Sequence, residues 1–401
     1  MHVSAARPTS ILKSARVSIA TLFFINGMIV ATWAARIPAI KHALGLSQAA
    51  LGLALLGGAL GALVAMNIAG YVAARVGSRP VATLTTLALC GTLPLLALAP
   101  NPVLLFGALF LFGASIGSMD VSMNVQGVAA EKGYGRPILS SFHAMFSVGG
   151  LLGALAGGLA AAVGWNPALD FGVVAIVAVI LGVISVPGLM PSNADSGGAG
   201  VALALPSRAL LAVGLVAFCT VVAEGAMTDW TALYLNMTAG AGVGVAALGF
   251  AAFSISMATS RFAGDRLNLR FGPVSLVRVG ALIAACGVIL ALAAPLPVPA
   301  IVGFGLTGIG LASIFPIAIS AAGRSRDMPV GTAVASVATW GYFGFLAGPP
   351  TIGFIAQATS LRLALGVVVA LCLLAALLAT AVAPAGQRLE EQEIVAAVEP
   401  W

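Results

Sequence analysis

The sequence predicts an all-α membrane protein of twelve transmembrane helices, arranged as two repeated six-helix halves. Three observations carry that prediction. Hydrophobic residues make up 60% of the chain and charged ones only 7%, where a soluble domain carries about 25% charged residues. With a mean hydropathy of +1.10, the chain cannot coat itself in polar side chains, and only lipid suits it as solvent. The apolar residues also fall into runs of about 20, the length that spans a hydrocarbon core as a helix. Finally, features of the first half recur in the second at a nearly constant spacing.

The first run, 17–40, follows Arg7, Lys13 and Arg16. That flank resembles the start of a signal peptide, but the run is too long and eleven more follow, so it reads as a retained helix. Runs at 48–74 and 81–99 are parted by Gly77-Ser78-Arg79-Pro80, and Asn101-Pro102 opens the fourth, 102–129. Gly133 to Pro137 precedes the fifth, 138–163, and the sixth covers 168–189. These six make an N-terminal bundle, 1–190. The stretch 191–207, with Pro191, Ser192, Asn193, Asp195, Gly197 and Gly198, is small and polar, as a cytoplasmic linker should be. Runs at 208–236, 245–268, 274–294, 298–322, 330–356 and 361–383 make a C-terminal bundle, 208–384, with Pro295, Pro297 and Pro299 parting its third and fourth helices. The acidic tail, 385–401, carries Glu390, Glu391, Glu393 and Glu399 and reads as a solvated cytoplasmic end.

With the N-terminus in the cytoplasm, fifteen basic residues fall on that side: Arg7, Lys13, Arg16, Arg75, Arg79, Lys132, Arg136, Arg208, Arg261, Arg266, Arg270, Arg278, Arg324, Arg326 and Arg388. Only Arg36, Lys41 and Arg362 fall on the other. This is the bias of a membrane protein with both termini inside, and an odd helix count would scramble it. The net charge of +6 therefore belongs to loops and not to a nucleic-acid surface.

The repeat is visible in Ala49-Ala50-Leu51-Gly52 against Ala246-Ala247-Leu248-Gly249, and in Trp33 against Trp230, both 197 residues apart. Asn26-Gly27 and Glu224-Gly225 are related by 198. Such a duplication places a binding site between the halves near the midplane of the bilayer.

Several soluble-enzyme signals are excluded. Cys90, Cys219, Cys286 and Cys372 lie far apart inside apolar runs, without metal or redox spacing. Gly113-Ala114-Ser115-Ile116-Gly117 has the letters of a hydrolase elbow, and Gly303-Phe304-Gly305-Leu306-Thr307-Gly308 those of a dinucleotide fingerprint. Both need a preceding strand, and here both lie inside apolar helices. No Walker loop is present. The chain is read as a non-enzyme that needs no cofactor and no metal.

Gly70-Tyr71-Val72-Ala73-Ala74-Arg75-Val76-Gly77-Ser78-Arg79 resembles the loop between helices two and three of the major facilitator superfamily. Ala74 stands where that family has an acid, whereas Gly264-Asp265-Arg266 in the second copy keeps one. The stretches Ala31 to Pro38, Met123 to Gly127, Ser140 to Ala144 and Ala223 to Trp230 resemble the fucose-permease-like, sugar-type branch. The fifth helix, Gly149-Gly150-Leu151-Leu152-Gly153, lacks the Gly-Pro pair of drug antiporters. The resemblance implies a proton-coupled secondary transporter of a small polar solute, such as a sugar. It would work by alternating access, as a multi-pass monomer of the bacterial inner membrane, with solute, protons and lipid as its partners and no nucleic acid. The alternative is an efflux carrier for amphipathic compounds or metabolites.

In that architecture helices one, four, seven and ten line the cavity, so polar residues in apolar runs become candidates; a charge at mid-helix costs roughly 2.5–3.5 kcal/mol to insert. Asp120, Glu224 and His143 are the proton-coupling candidates, with Asp120 and His143 expected to approach across a short loop. Asn26, Trp33, Asn124, Gln126, Trp230 and Trp340 are the solute-binding candidates. Arg36 with Asp229 is expected to form an outer gate, and Arg75, Asp265 and Arg266 an inner one.

Overall fold

A computed structural model describes residues 9–46, 48–194, 208–325 and 328–384. The expected tail, most of the expected linker, and Arg7, Arg326 and Arg388 lie outside them. Among the described residues all regular structure is helical. In the first half α1 (Ser10–Ala43), α2 (Gln48–Val76), α3 (Ser78–Leu98), α4 (Pro102–Tyr134), α5 (Leu139–Ala162) and α6 (Pro167–Ser185) follow in order. In the second come α7 (Arg208–Met237), α8 (Val243–Phe271), α9 (Pro273–Ala293), α10 (Pro297–Leu311), α11 (Ile314–Gly323), α12 (Val330–Ala358), α13 (Leu361–Ala364) and α14 (Gly366–Leu377).

The punctuation acts as its chemistry dictates. Asn101 and Asn166 cap α4 and α6 by accepting the backbone N–H of Leu104 at 2.9 Å and of Leu169 at 2.8 Å, with proline in the first turn. α2 passes into α3 through Gly77 alone, at φ 83°, and α8 into α9 through Gly272, at φ 79°. Those left-handed angles suit only glycine, so the same one-residue joint marks the repeat in both halves.

Eleven stretches are long and apolar enough to cross a membrane among the described residues. α8 is a further long helix of 29 residues, carrying Arg261, Asp265, Arg266 and Arg270 in its second half. Outward faces are apolar: on α6, Ile176, Ile180, Val183 and Ile184 are all exposed, as a lipid-facing stripe must be.

Three details differ from expectation. α1 starts at Ser10, because Thr9 caps it, and so takes Lys13 and Arg16 into the helix. The tenth span is broken between α10 and α11. Pro316 has no N–H to give the carbonyl four residues back, that of Ala312, and the ladder resumes only with Ile317 N–H on the Ser313 carbonyl at 3.1 Å. The last span is likewise divided, at Leu365.

The chain clusters into two compact units. One comprises the described residues of Met1–Leu205 with Asp327–Thr339, the other those of Pro206–Arg326 with Trp340–Trp401. In the first, Asn67 of α2 donates through Nδ2 to Thr339 Oγ1 of α12 at 3.4 Å.

Candidate functional site

Each unit holds an acid inside its helices with polar neighbours, Asp120 in the first and Glu224 in the second. In the first unit this setting begins with the contact of α1 and α5. A Cβ on Gly149 would stand 2.1 Å from the Phe24 carbonyl oxygen, and one on Gly153 2.2 Å from that of Met28. Only glycine permits backbones so close. The contact sets the Phe23 ring against the imidazole of His143, centroids 4.9 Å apart, and against Phe142 at 5.7 Å.

α4 supplies the acid. Asp120 and Asn124 are one turn apart and share a face. Asn124 Nδ2 donates to the Asp120 backbone carbonyl at 2.8 Å and to Oδ1 at 3.2 Å. Its Oδ1 lies 3.3 Å from His143 Nε2, a hydrogen bond when that nitrogen carries the hydrogen. The expected approach of Asp120 and His143 is therefore made through the Asn124 carboxamide. Asn124 is a bridge here: both ends of its amide are engaged and it is 0% exposed.

Two acceptors in this neighbourhood are left over. Asp120 Oδ2 has no hydrogen-bond partner, and neither has Asn26 Oδ1. Asn26 is tied to α4 only through Nδ2, which lies 3.8 Å from Met123 Sδ, one turn from Asp120. Asp120 is 9% exposed and Asn26 2%. A buried oxygen without a donor costs free energy that most proteins avoid, so both are poised for a proton, a solute donor or water. No group of side chains able to hold a metal ion occurs among the described residues.

The structure places three other candidates of this unit in buried packing. Gln126 is engaged at both ends of its amide. Its Nε2 donates to Ser78 Oγ at 2.7 Å and to the Met190 carbonyl at 3.2 Å, and its Oε1 accepts the Met190 N–H at 2.8 Å. It clamps the start of α3 to the chain beyond α6. Trp33 packs in the bundle interior between Phe112 and Phe171, at 6.4 and 6.2 Å. Arg36 is held within its own unit. Its Nε lies 3.4 Å from Asp170 Oδ2 of α6, both side chains 3% exposed, and its Nη2 donates to the Trp165 carbonyl. Sequence reasoning missed Asp170 because an acid in the first turn of a helix is an ordinary dipole partner. The signal was a basic residue in the first apolar run that needed a counter-charge.

In the second unit, Glu224 Oε1 of α7 lies 3.5 Å from Arg261 Nη2 of α8, their side chains 24% and 8% exposed. Arg261 Nε also donates to the Ala312 carbonyl at 3.3 Å. The sequence placed Arg261 on the cytoplasmic side within the run 245–268, and its side chain is buried in this network. Asp229 is exposed at the far end of α7. Trp230 is half-buried, its indole N–H lacks a partner, and it lies against Gly353 of α12. Trp340 is half-buried on Gly214 and edge-on to Phe218, centroids 6.4 Å apart. Among the inner-gate candidates Arg75 is exposed and lies over the Tyr71 ring at 4.4 Å. Asp265 is half-buried and Arg266 exposed on α8.

Comparison with known proteins adds the family. The profile described as Major Facilitator Superfamily matches residues 19–324. An uncharacterised MFS-type transporter of Yersinia pestis is 38% identical over 384 residues, 95% of this chain and 98% of that one. An uncharacterised transporter of Sinorhizobium fredii is 37% identical over 90% of this chain and 96% of its own. Solved structures with the same fold include the E. coli fucose:proton symporter FucP (TM-score 0.73, 15% identity, 92% of this chain and 98% of that one). The human organic anion transporter MFSD10 gives 0.75 at 15% identity over 92% and 99%. The proton:xylose symporter XylE gives 0.71 at 12% over 92% and 95%.

Proposed function

The chain belongs to the major facilitator superfamily, a family of multi-pass membrane transporters, and from that premise we propose that it carries a small polar solute, of the sugar class, together with protons. Transport proceeds by alternating access, by a monomer with both termini in the cytoplasm of a bacterial cell. The distribution of basic residues supports the orientation even with the buried Arg36 and Arg261 set aside.

The observation that carries the reading is the Asp120–Asn124–His143 chain with its unpartnered carboxylate oxygen. Asp120 takes the proton, and Asn26 Oδ1 accepts from the solute. Among the solved folds it resembles, FucP and XylE are sugar:proton symporters, which supports the same class here. Proton and solute must each bind one conformation better than the other, because equal affinity for both shifts nothing.

A thermal-shift panel of monosaccharides, nucleosides, carboxylic acids and lipophilic cations on the purified protein tests the solute class. A ligand at 100 times its dissociation constant stabilises by about 2.7 kcal/mol. Stabilisation by a monosaccharide is the expected outcome. A response confined to lipophilic cations would transfer the protein to the efflux reading.

A further inference from the structure

The break in the tenth span has a feature that its own sequence does not explain. Pro316 leaves the Ala312 carbonyl without its helical donor, and an unsatisfied carbonyl inside a membrane protein is costly. The donor comes from another helix. Ser256 Oγ of α8 donates to the Gly305 carbonyl of α10 at 2.7 Å. A Cβ on Gly308 would stand 2.3 Å from the Phe253 carbonyl oxygen, so α8 lies directly against α10. Five residues further along α8, Arg261 Nε reaches Ala312 O at 3.3 Å while its Nη2 faces Glu224 at 3.5 Å. A planar guanidinium serves two such acceptors with one rigid fork, which an ammonium does not.

We infer that Arg261 is a positioning residue that links the state of the Glu224 carboxylate to the Pro316 break. Glu224 is the exposed end of the link: its side chain is 24% exposed against 8% for Arg261. A proton or a solute hydroxyl that engages Glu224 withdraws the Glu224 anchor of the guanidinium. The Ala312 carbonyl then loses a fixed donor, and the joint between α10 and α11 loosens. With Glu224 charged, the guanidinium is fixed between Glu224 and the Ala312 carbonyl and the joint is stiff. The significance of this for turnover rests on the transporter reading, but its test needs no solute.

The test is a double-mutant cycle on the full chain in detergent. Pro316→Ala restores an N–H to the Ala312 carbonyl, so the helix satisfies itself. Arg261→Lys is expected to lower Tm in the Pro316 background by several degrees and clearly less in the Pro316→Ala background. Additive losses would overturn the link between Arg261 and the break. Deuterium exchange over residues 308–320 gives the second readout, for which Glu224→Gln suffices if the Arg261 variant does not fold. Exchange is expected to rise severalfold in Glu224→Gln and to return towards the parent in Glu224→Gln with Pro316→Ala. Unchanged exchange in Glu224→Gln would show that the carboxylate does not control the break. A failed solute screen with a successful cycle would sink the transported-sugar reading and leave this link standing.

Discussion

Asp120 and Glu224 each lie on a long helix of a repeated unit, and their surroundings differ in kind. Asp120 has an amide for a partner, an imidazole one step beyond, and one carboxylate oxygen with no partner. Glu224 faces a guanidinium that is also committed to a backbone carbonyl. A buried carboxylate beside a fixed cation has its charge balanced by the protein. One without a cation needs a counter-charge from elsewhere, and a proton is the smallest available. The two acids, equal candidates from the sequence, thus differ in surroundings, and we propose different roles for them: Asp120 to carry the proton and Glu224 to set a joint.

That division can be broken experimentally. The largest expected effect is on coupling. Asp120→Asn should reduce accumulation driven by a proton gradient to background while leaving solute exchange across proteoliposomes intact. Glu224→Gln should retain accumulation at reduced rate. Equal losses from both would erase the distinction.

Next in size is the ion pair of the first unit. Arg36 and Asp170 are both almost fully buried, so removing either alone leaves an uncompensated charge and should cost about 3–5 kcal/mol. Arg36→Met with Asp170→Leu should recover most of that loss in a chemical-denaturation or thermal assay. A double variant as unstable as the singles would mean that the pair is not the origin of the cost.

Gln126 sharpens the contrast between scaffold and site. Gln126→Leu removes three buried hydrogen bonds and leaves Met190 unsatisfied, which at about 1 kcal/mol per bond should lower stability by roughly 2–3 kcal/mol. Solute affinity, measured by thermal shift, should stay as in the parent. The smallest change is expected for Trp230→Phe. The indole N–H has no partner to lose, so stability should fall by less than about 1 kcal/mol, and a weakened solute response without destabilisation would identify Trp230 as a contact.

Helices and joints were legible because they depend on local chemistry. Asn-Pro starts, the Gly77 joint and the run lengths each act on their own few residues. The break at Ala312 was hidden in a run without charged residues, although Pro316 was in plain view; a proline marks a kink only when no neighbour is known to repair it. Polar residues were legible as candidates by their cost in lipid, and Asp120 and His143 lie on the successive helices α4 and α5. The partners were not legible. Asp170, Arg261 and the Met190 backbone lie 134, 37 and 64 residues from Arg36, Glu224 and Gln126, and nothing local in the sequence pairs them. Asn124 and Gln126, two positions apart on α4, point to different neighbours and serve different ends.

The most direct test of the account is proton movement itself. Proteoliposomes loaded with a pH indicator would receive an inward gradient of the solute that stabilises the protein. The account predicts internal acidification with the parent protein and with Glu224→Gln, and none with Asp120→Asn. Acidification that persists in Asp120→Asn would contradict it, because the proton would then travel by another group.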